Sequence, residues 1–481
     1  MSRFEQLIRT GWYCEGEWRN AGEHYPVINP ATEETVAQVV MAGKTETLEA
    51  IASASRALPA WKAQTAGARA KILQRWYQLI VENQQALAEL VVAEQGKVLA
   101  EAMGEVMYAA SFIEWFAEEG KRAYGKTIPE SKNGNRIITF KEPVGVIAAI
   151  TPWNFPLAML TRKLGPALAA GCTAVIKPAN ETPLSAFALL VLAEQAGVPA
   201  GVLNAVTGDT RAIGETLMAS PTVRKISFTG STATGKLLMR QAADNVKKLS
   251  LELGGNAPFI VFDDADIEAA VNGAMAAKFR NSGQTCVCVN RFYIQDGVYD
   301  QFVSRLTETA AALRVAPGMS EGAQQGPLIH QQAVEKVDIH VRDALSRGAR
   351  LMCGGERHAL GKSFYQPTVL ANVTEEMRIA HEETFGPVAA CFRFSSEDEV
   401  VERANATPFG LASYLYTRDL ARAFRVTRAL ESGMVGVNEG IISTEVAPFG
   451  GVKESGLGRE GADVGLEEYL ETKYMNLGQL G

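Results

Sequence analysis

At 481 residues the chain is too long for one compact core, so two or three domains are expected. With 21% charged residues, a net charge of −7 and no clustering of Lys and Arg, it lacks the electrostatic footprint of a nucleic-acid or anionic-membrane partner. No apolar run approaches the ~20 residues that span a bilayer. Met1-Ser2-Arg3-Phe4-Glu5 is polar and acidic where a signal peptide is apolar, so a cytoplasmic protein is expected.

Residues 46–120 read as helical. Apolar residues recur at helical spacing from Ala68 to Gln95 (Ile72, Trp76, Leu79, Ile80, Leu87, Leu90), with Gly96 as the C-terminal cap. A second helix is expected from about Val98 to Glu119, stopping at Gly120. Between Gly125 and Gly145, Asn133-Gly134 is a hairpin signal, and Arg136 to Lys141 is β-branched and aromatic, which suggests a short arm. From Val144 the rhythm becomes strand, turn, helix. Strands are expected at Val144 to Thr151, Ala174 to Lys177, Leu203 to Val206 and Lys225 to Thr229, with a helix from about Pro183 to Ala196. Apolar strands alternating with helices predict a parallel sheet covered on both faces, which binds ligands at the carboxyl ends of its strands. The same rhythm resumes from Pro258 to about Phe449, and the tail from Tyr469 to Leu477 is strand-like.

Of the six cysteines, Cys14, Cys172, Cys353 and Cys391 are scattered singly, and the five histidines are isolated. Neither a disulfide framework nor a metal site is expected. The exception is Gly283-Gln284-Thr285-Cys286-Val287-Cys288. A free cysteine is ordinarily a small buried apolar residue. Two of them in a glycine-bearing polar turn point instead to a nucleophile or a redox pair. At an unperturbed pKa of about 8.5 only a few per cent of a thiol is thiolate at neutral pH, so a nucleophile needs assistance. The acid–base candidate is Glu252, in Leu251-Glu252-Leu253-Gly254-Gly255-Asn256, although a glutamate there is more often a solvated strand end.

Phe228-Thr229-Gly230-Ser231-Thr232-Ala233-Thr234-Gly235-Lys236 follows a strand and should open a helix whose N–H groups favour a pyrophosphate. It nearly matches a Walker A loop, but Leu237 stands where magnesium needs Ser or Thr, so a nucleoside triphosphatase is a distant alternative. Thr151-Pro152-Trp153-Asn154-Phe155-Pro156 is a stiff loop in which Asn154 supplies an amide donor. Lys177-Pro178-Ala179-Asn180 ends the next strand, where Lys177 is either exposed or holds a ribose or phosphate.

Together these segments, with Glu382 to Pro387 and Pro448 to Gly451, resemble the aldehyde dehydrogenase superfamily over nearly the whole chain. Phe279-Arg280-Asn281, Cys286-Val287-Cys288, Glu439 to Ser443 and Lys453 to Gly461 are most similar to its succinate-semialdehyde dehydrogenases. The resemblance implies a Rossmann-like NAD(P)-binding domain (1–124 and 146–254), an α/β catalytic domain (255–449), and a small β oligomerisation arm and tail (125–145 and 450–481). It implies Cys286 as nucleophile, Asn154 and the Cys286 N–H as the oxyanion hole, and Glu252 as the base that activates water. The cofactor would meet Trp153, Asn154, Lys177, Pro178, Ala179, Asn180, Gly230, Ser231, Leu253, Glu383 and Phe385, with no metal.

Relatives selective for NAD often carry a glutamate at the position of Asn180, and the neutral amide beside Lys177 suggests that NADP is accepted and mildly preferred. Arg162, Arg280 and Ser443 would face the substrate carboxylate, since an anion in an apolar pocket needs arginine or a hydroxyl. Glutarate semialdehyde differs by one methylene, worth only about 1–3 kcal/mol, and is the alternative substrate. A neutral or cationic aldehyde such as betaine aldehyde, and a cysteine hydrolase needing no nicotinamide, are further readings. The arm and tail would pair across subunits, giving a homodimer or homotetramer. A regulatory disulfide between Cys286 and Cys288 requires a bent loop, because in an extended strand their α-carbons stand near 7 Å apart.

Overall fold

The computed structural model describes residues 3–478; Met1, Ser2 and residues 479–481, which the sequence reading places in the first domain and the tail, lie outside the described residues. Two sheets organise the chain as a mixed α/β fold of two domains. The eight-stranded sheet runs in the spatial order Gly456–Leu457, Lys248–Glu252, Val223–Thr229, Val146–Ile150, Thr173–Lys177, Leu203–Ala205, Trp12–Cys14, Glu17–Arg19. Lys248–Glu252 through Leu203–Ala205 are parallel neighbours. They are largely buried because helices cover both faces: every residue of Thr173–Lys177 is buried, as is every residue of the helix Ala158–Ala170. The seven-stranded sheet, Arg350–Cys353, Thr368–Ala371, Val388–Phe394, Val289–Gln295, Ala257–Val261, Ala412–Tyr416, Met434–Val437, is parallel except at its Arg350–Cys353 edge.

The single helix expected from Ala68 to Gln95 is two, Ala66–Glu82 and Gln84–Gln95. Asn83 breaks it at φ −108°, ψ 17°, and its side-chain amide donates to the Leu79 carbonyl at 2.8 Å. A short amide side chain that satisfies the last carbonyls competes with helix continuation. Apolar periodicity survives the break because both pieces bury residues in the same core. Gly96 does cap the second piece, at φ 92°; a Cβ there would stand 2.6 Å from Pro30 Cγ. The following helix is Leu99–Glu119.

The arm consists of Lys126–Ile128 and Arg136–Pro143, and the tail strand Leu470–Leu477 lies antiparallel to the latter from Leu470 opposite Pro143 to Leu477 opposite Arg136. Arm and tail therefore pair with each other within one chain. Of the segment 450–481 grouped with the arm on sequence, this strand alone joins it among the described residues. Gly456–Leu457 instead adds antiparallel to Leu251 and Glu252, closing the eight-stranded sheet. A Cβ on Gly456 would fall 2.2 Å from the Leu251 carbonyl, so only glycine permits that approach.

Candidate active site

The cysteine loop leaves the helix Ile267–Phe279 through three consecutive left-handed residues, Asn281 (φ 50°), Ser282 (φ 56°) and Gly283 (φ 75°). Such residues persist only where the surroundings hold them. Here the Asn281 N–H donates to Glu101 at 2.9 Å, the Ser282 hydroxyl to the Gly326 carbonyl at 2.8 Å, and Gln284 accepts the Ile329 N–H at 2.9 Å. Gly283 is obligatory, since a Cβ would lie 2.2 Å from the Gly386 carbonyl oxygen. Thr285 to Cys288 then forms a turn closed by the Cys288 N–H on the Thr285 carbonyl, 3.0 Å. The loop is thus bent, as a Cys286–Cys288 bridge would require. Both thiols are free, and the buried Cys288 thiol donates to the Lys278 carbonyl at 3.4 Å.

Asn154 sits in the loop after the strand Val146–Ile150, buried, with its amide donating to the Gln284 carbonyl at 3.0 Å. Its own carbonyl accepts from Lys97 Nζ at 2.8 Å and from the Asn281 amide at 3.0 Å, and that amide also reaches the Gln284 carbonyl at 3.2 Å. Lys97 is fully buried, paired with Glu105 at 2.5 Å, and Glu105 accepts the Leu157 N–H at 2.9 Å. One network therefore ties the Asn154 loop to the cysteine loop. Lys97 and Glu105 escaped the sequence reading. Their signal was a lysine in the link before a helix and a glutamate eight residues on within it, in a stretch otherwise rich in buried residues.

Glu252 ends its strand 3% exposed, and neither carboxyl oxygen has a hydrogen-bond partner among the described residues. The solvated strand-end reading is excluded. Burial pushes its pKa well above the carboxylate range and Glu460 pushes it further, against Arg162, Lys163 and Arg459. Glu460 itself pairs with Lys163 at 2.6 Å and with Arg162 Nε at 2.8 Å; burial opposes its charge, but the two cations outweigh it and its pKa is lowered. Burial raises the Cys286 thiol to about 12, with Glu252 and Glu383 adding to the rise and Arg162 and Arg280 opposing it. A Cβ on Gly450 would stand 2.9 Å from Glu252, so the glycine keeps that carboxyl's space open.

Two cavities meet at Cys286. The larger, about 400 Å³, lies at the carboxyl ends of the first sheet's strands and is lined by Trp153, Asn154, Gly230, Ser231, Glu252, Leu253, Glu383 and Phe385 among others. Ser231 caps the helix Thr232–Ala242 by accepting the Thr234 N–H at 3.3 Å, and a Cβ on Gly235 would strike Leu253 at 2.5 Å, so helix and strand approach closely there. Lys236, the Walker-like lysine, instead pairs on the surface with Glu454 at 2.7 Å.

The smaller recess, about 20 Å³, is lined by Arg162, Arg280, Ser443, Tyr108, Phe155 and Phe449 besides Cys286. Arg162 is buried between Phe449 (4.0 Å) and Phe112 (5.2 Å), and its Nη2 has no hydrogen-bond partner among the described residues. Arg280 lies over the Phe155 ring at 5.5 Å.

Residues 18–475 match the aldehyde dehydrogenase family. The chain belongs to that family. The 3-sulfolactaldehyde dehydrogenase of Pseudomonas putida is 59% identical over 474 residues, 98% of each chain. The succinate-semialdehyde dehydrogenase [NADP(+)] of Escherichia coli K12 is 58% identical over 474 residues, again 98% of each. The solved succinate-semialdehyde dehydrogenase of Burkholderia pseudomallei is 57% identical, with a TM-score of 0.98 and 98% of both chains covered.

An aldehyde dehydrogenase needs room for a dinucleotide, and the larger cavity fits one: a helix N-terminus with Gly230 and Ser231, the apolar Leu253, and Glu383, which accepts the Gly255 N–H at 3.3 Å. Burial lifts the Glu383 pKa to about 7, the Gly255 N–H opposing. Phe385 (φ 55°) meets Trp153 edge to face at 5.5 Å. Lys177, Pro178, Ala179 and Asn180 do not line that cavity; Asn180 borders a neighbouring one of about 380 Å³. Asn180 accepts from Lys177 (3.3 Å), Thr207 and the Gly208 N–H, and donates to the Gly208 carbonyl at 2.7 Å. Burial lowers the Lys177 pKa to about 8, Glu181 opposing. Gln332 and Lys336 also line the larger cavity and were missed, because the start of the helix Gln331–Ser346 brings them in without a motif.

Proposed function

We propose that this enzyme oxidises a short aldehyde with a distal anionic group, foremost succinate semialdehyde, to the carboxylate with NAD(P)+. The observation that carries this reading is the position of Cys286, between the larger cavity at the carboxyl ends of the first sheet's strands and a recess holding two arginines. Cys286 gives its thiol proton to water and its Sγ bonds to the aldehyde carbon, opening the C=O π bond to the oxyanion of a thiohemiacetal. The Asn154 amide has a second hydrogen beyond the one given to Gln284, and with the Cys286 N–H it receives the developing oxyanion. NAD(P)+, when held in the larger cavity, would supply the hydride acceptor for that carbon, and Cys286 would then carry the acyl group as a thioester. Glu252 then takes a proton from water, which attacks the thioester and releases the carboxylate and the thiol. When NAD(P)+ is bound, Trp153, Gly230 and Ser231 would hold the pyrophosphate, Lys177 to Asn180 the adenosine ribose, Glu383 the nicotinamide ribose, and Leu253 and Phe385 its ring.

Arg162, Arg280 and Ser443 bind the distal anion. Two cations beside the nucleophile disfavour a cationic aldehyde such as betaine aldehyde. Glutarate semialdehyde is the second substrate reading, since one methylene changes binding little. Arg280 has no ion pair among the described residues, so Arg280→Ala tests the clamp with the least structural disturbance. It should raise KM for succinate semialdehyde at least tenfold (about 1.4 kcal/mol per tenfold) and leave butanal nearly unaffected. An unchanged KM overturns the reading.

The neutral Asn180 beside Lys177 supports a mild preference for NADP over NAD, read as the ratio of kcat/KM for the two. All six cysteines are free, which fits a reducing compartment such as the cytoplasm. The outer strand Leu470–Leu477, exposed along most of its length, supports a homodimer or homotetramer.

A further inference from the structure

Tyr108 stands in the middle of the helix Leu99–Glu119, with its ring edge to face on Phe112 at 5.0 Å. It lines the same recess as Cys286, Arg162, Arg280 and Ser443. Its hydroxyl is buried and has no hydrogen-bond partner among the described residues. A buried hydroxyl with no partner is costly, and most are satisfied within the fold. The hydroxyl lies among the charges of the site: burial raises its pKa most, Arg162 and Arg280 oppose, and Cys286 and Glu460 add to the rise. Arg162, which lines the same recess, carries in its Nη2 a second buried donor without a partner among the described residues. Guanidinium groups donate only, so neither arginine offers the phenol an acceptor. The acceptor that would satisfy both is an oxygen of a bound anion.

We propose that Tyr108 donates its hydroxyl hydrogen to the distal anionic group of the substrate, and so determines specificity together with Arg162, Arg280 and Ser443. This inference rests on the anionic-aldehyde reading given above. The ring accounts for the packing and the oxygen for recognition. The helix carrying Tyr108 packs tightly on the one carrying Arg162: a Cβ on Gly165 would sit 3.1 Å from the Phe112 carbonyl. The phenol and the guanidinium are thus set on two rigid, closely packed elements.

The test compares wild type, Tyr108→Phe and Arg280→Ala as full-length enzymes, with succinate semialdehyde and with butanal, which has a methyl group in place of the carboxylate. Tyr108→Phe keeps the ring and removes only the unsatisfied hydroxyl, so its Tm should equal or exceed that of wild type. The ratio of kcat/KM for succinate semialdehyde to that for butanal should fall about tenfold, the loss of one hydrogen bond to a charged group. KM for the semialdehyde should carry more of the change than kcat. If that ratio holds in Tyr108→Phe but falls in Arg280→Ala, the Tyr108 assignment is wrong and the anion recess stands. If wild type itself shows no preference for the semialdehyde, the recess reading fails, and this inference with it. Equal losses on both substrates would make Tyr108 a structural residue and overturn the assignment.

Discussion

Glu252 and Cys286 both face burial without a compensating cation in direct contact, and each opposes the other's charge. Both pKa values are raised, Cys286 is the thiol at neutral pH before substrate binds, and the reactive thiolate gains population as pH rises. A negative neighbour raises a thiol pKa, so replacing it by a neutral amide must lower it. In Glu252→Gln, the pH midpoint for alkylation of Cys286 by iodoacetamide should shift downward, while aldehyde turnover falls by about 100-fold or more for want of the water-activating base. An upward shift of the midpoint, or none, would show that Glu252 withdraws the thiol proton rather than opposing its loss. Residue type and neighbours in the chain marked both groups as candidates. The raised pKa values could not be read there, because desolvation depends on everything packed around the side chain.

At the scale of elements, the Asn154 loop and the cysteine loop are held as one unit by Lys97, Glu105 and Asn281. Breaking a buried ion pair by removing one partner typically costs about 3–5 kcal/mol, because the other charge is left unpaired. Lys97→Met should therefore lower Tm by many degrees and lower kcat, since the Asn154 carbonyl loses a donor and its amide drifts. Lys97→Met combined with Glu105→Gln removes the unpaired charge. The double variant should recover much of the Tm but not kcat, as followed by calorimetry and steady-state rates. Full recovery of kcat would confine the pair to a stability role. The sequence pattern located the helix Leu99–Glu119 that carries Glu105, yet merged the two helices before it across Asn83, because periodicity reports which face is buried and is blind to a break that preserves the face.

At the scale of the molecule, the tail strand Leu470–Leu477 leaves one long edge open beside its pairing with Arg136–Pro143. Exposed Tyr474 and Met475 on such an edge mark it for pairing with a second copy. Truncation before Leu470 removes that edge and also unpairs the arm. The truncated enzyme should show a smaller mass by light scattering than the full chain at equal concentration. An identical mass would place the subunit contact elsewhere.

What the sequence determined by itself was local or ordered along the chain. It showed the alternation of buried strands and helices that makes parallel sheets, the glycine-bearing cysteine turn, and the succession of loops at strand ends that marks an aldehyde dehydrogenase. The tertiary structure alone decided what depends on meetings between distant segments. Glu460 reaches Lys163 across 297 residues, arm and tail pair within one chain, and Tyr108 and Arg162 bring two buried donors to one recess from neighbouring helices. The physical reason is the same in each case. A side chain's type and spacing set which face it occupies, whereas its charge state and partners follow from packing that no local pattern encodes. Cys286 and Glu252 were marked by their own segments, and Arg162, Arg280 and Ser443 by the resemblance, but the network of Lys97, Glu105 and Asn281 that steadies the cysteine loop was not legible.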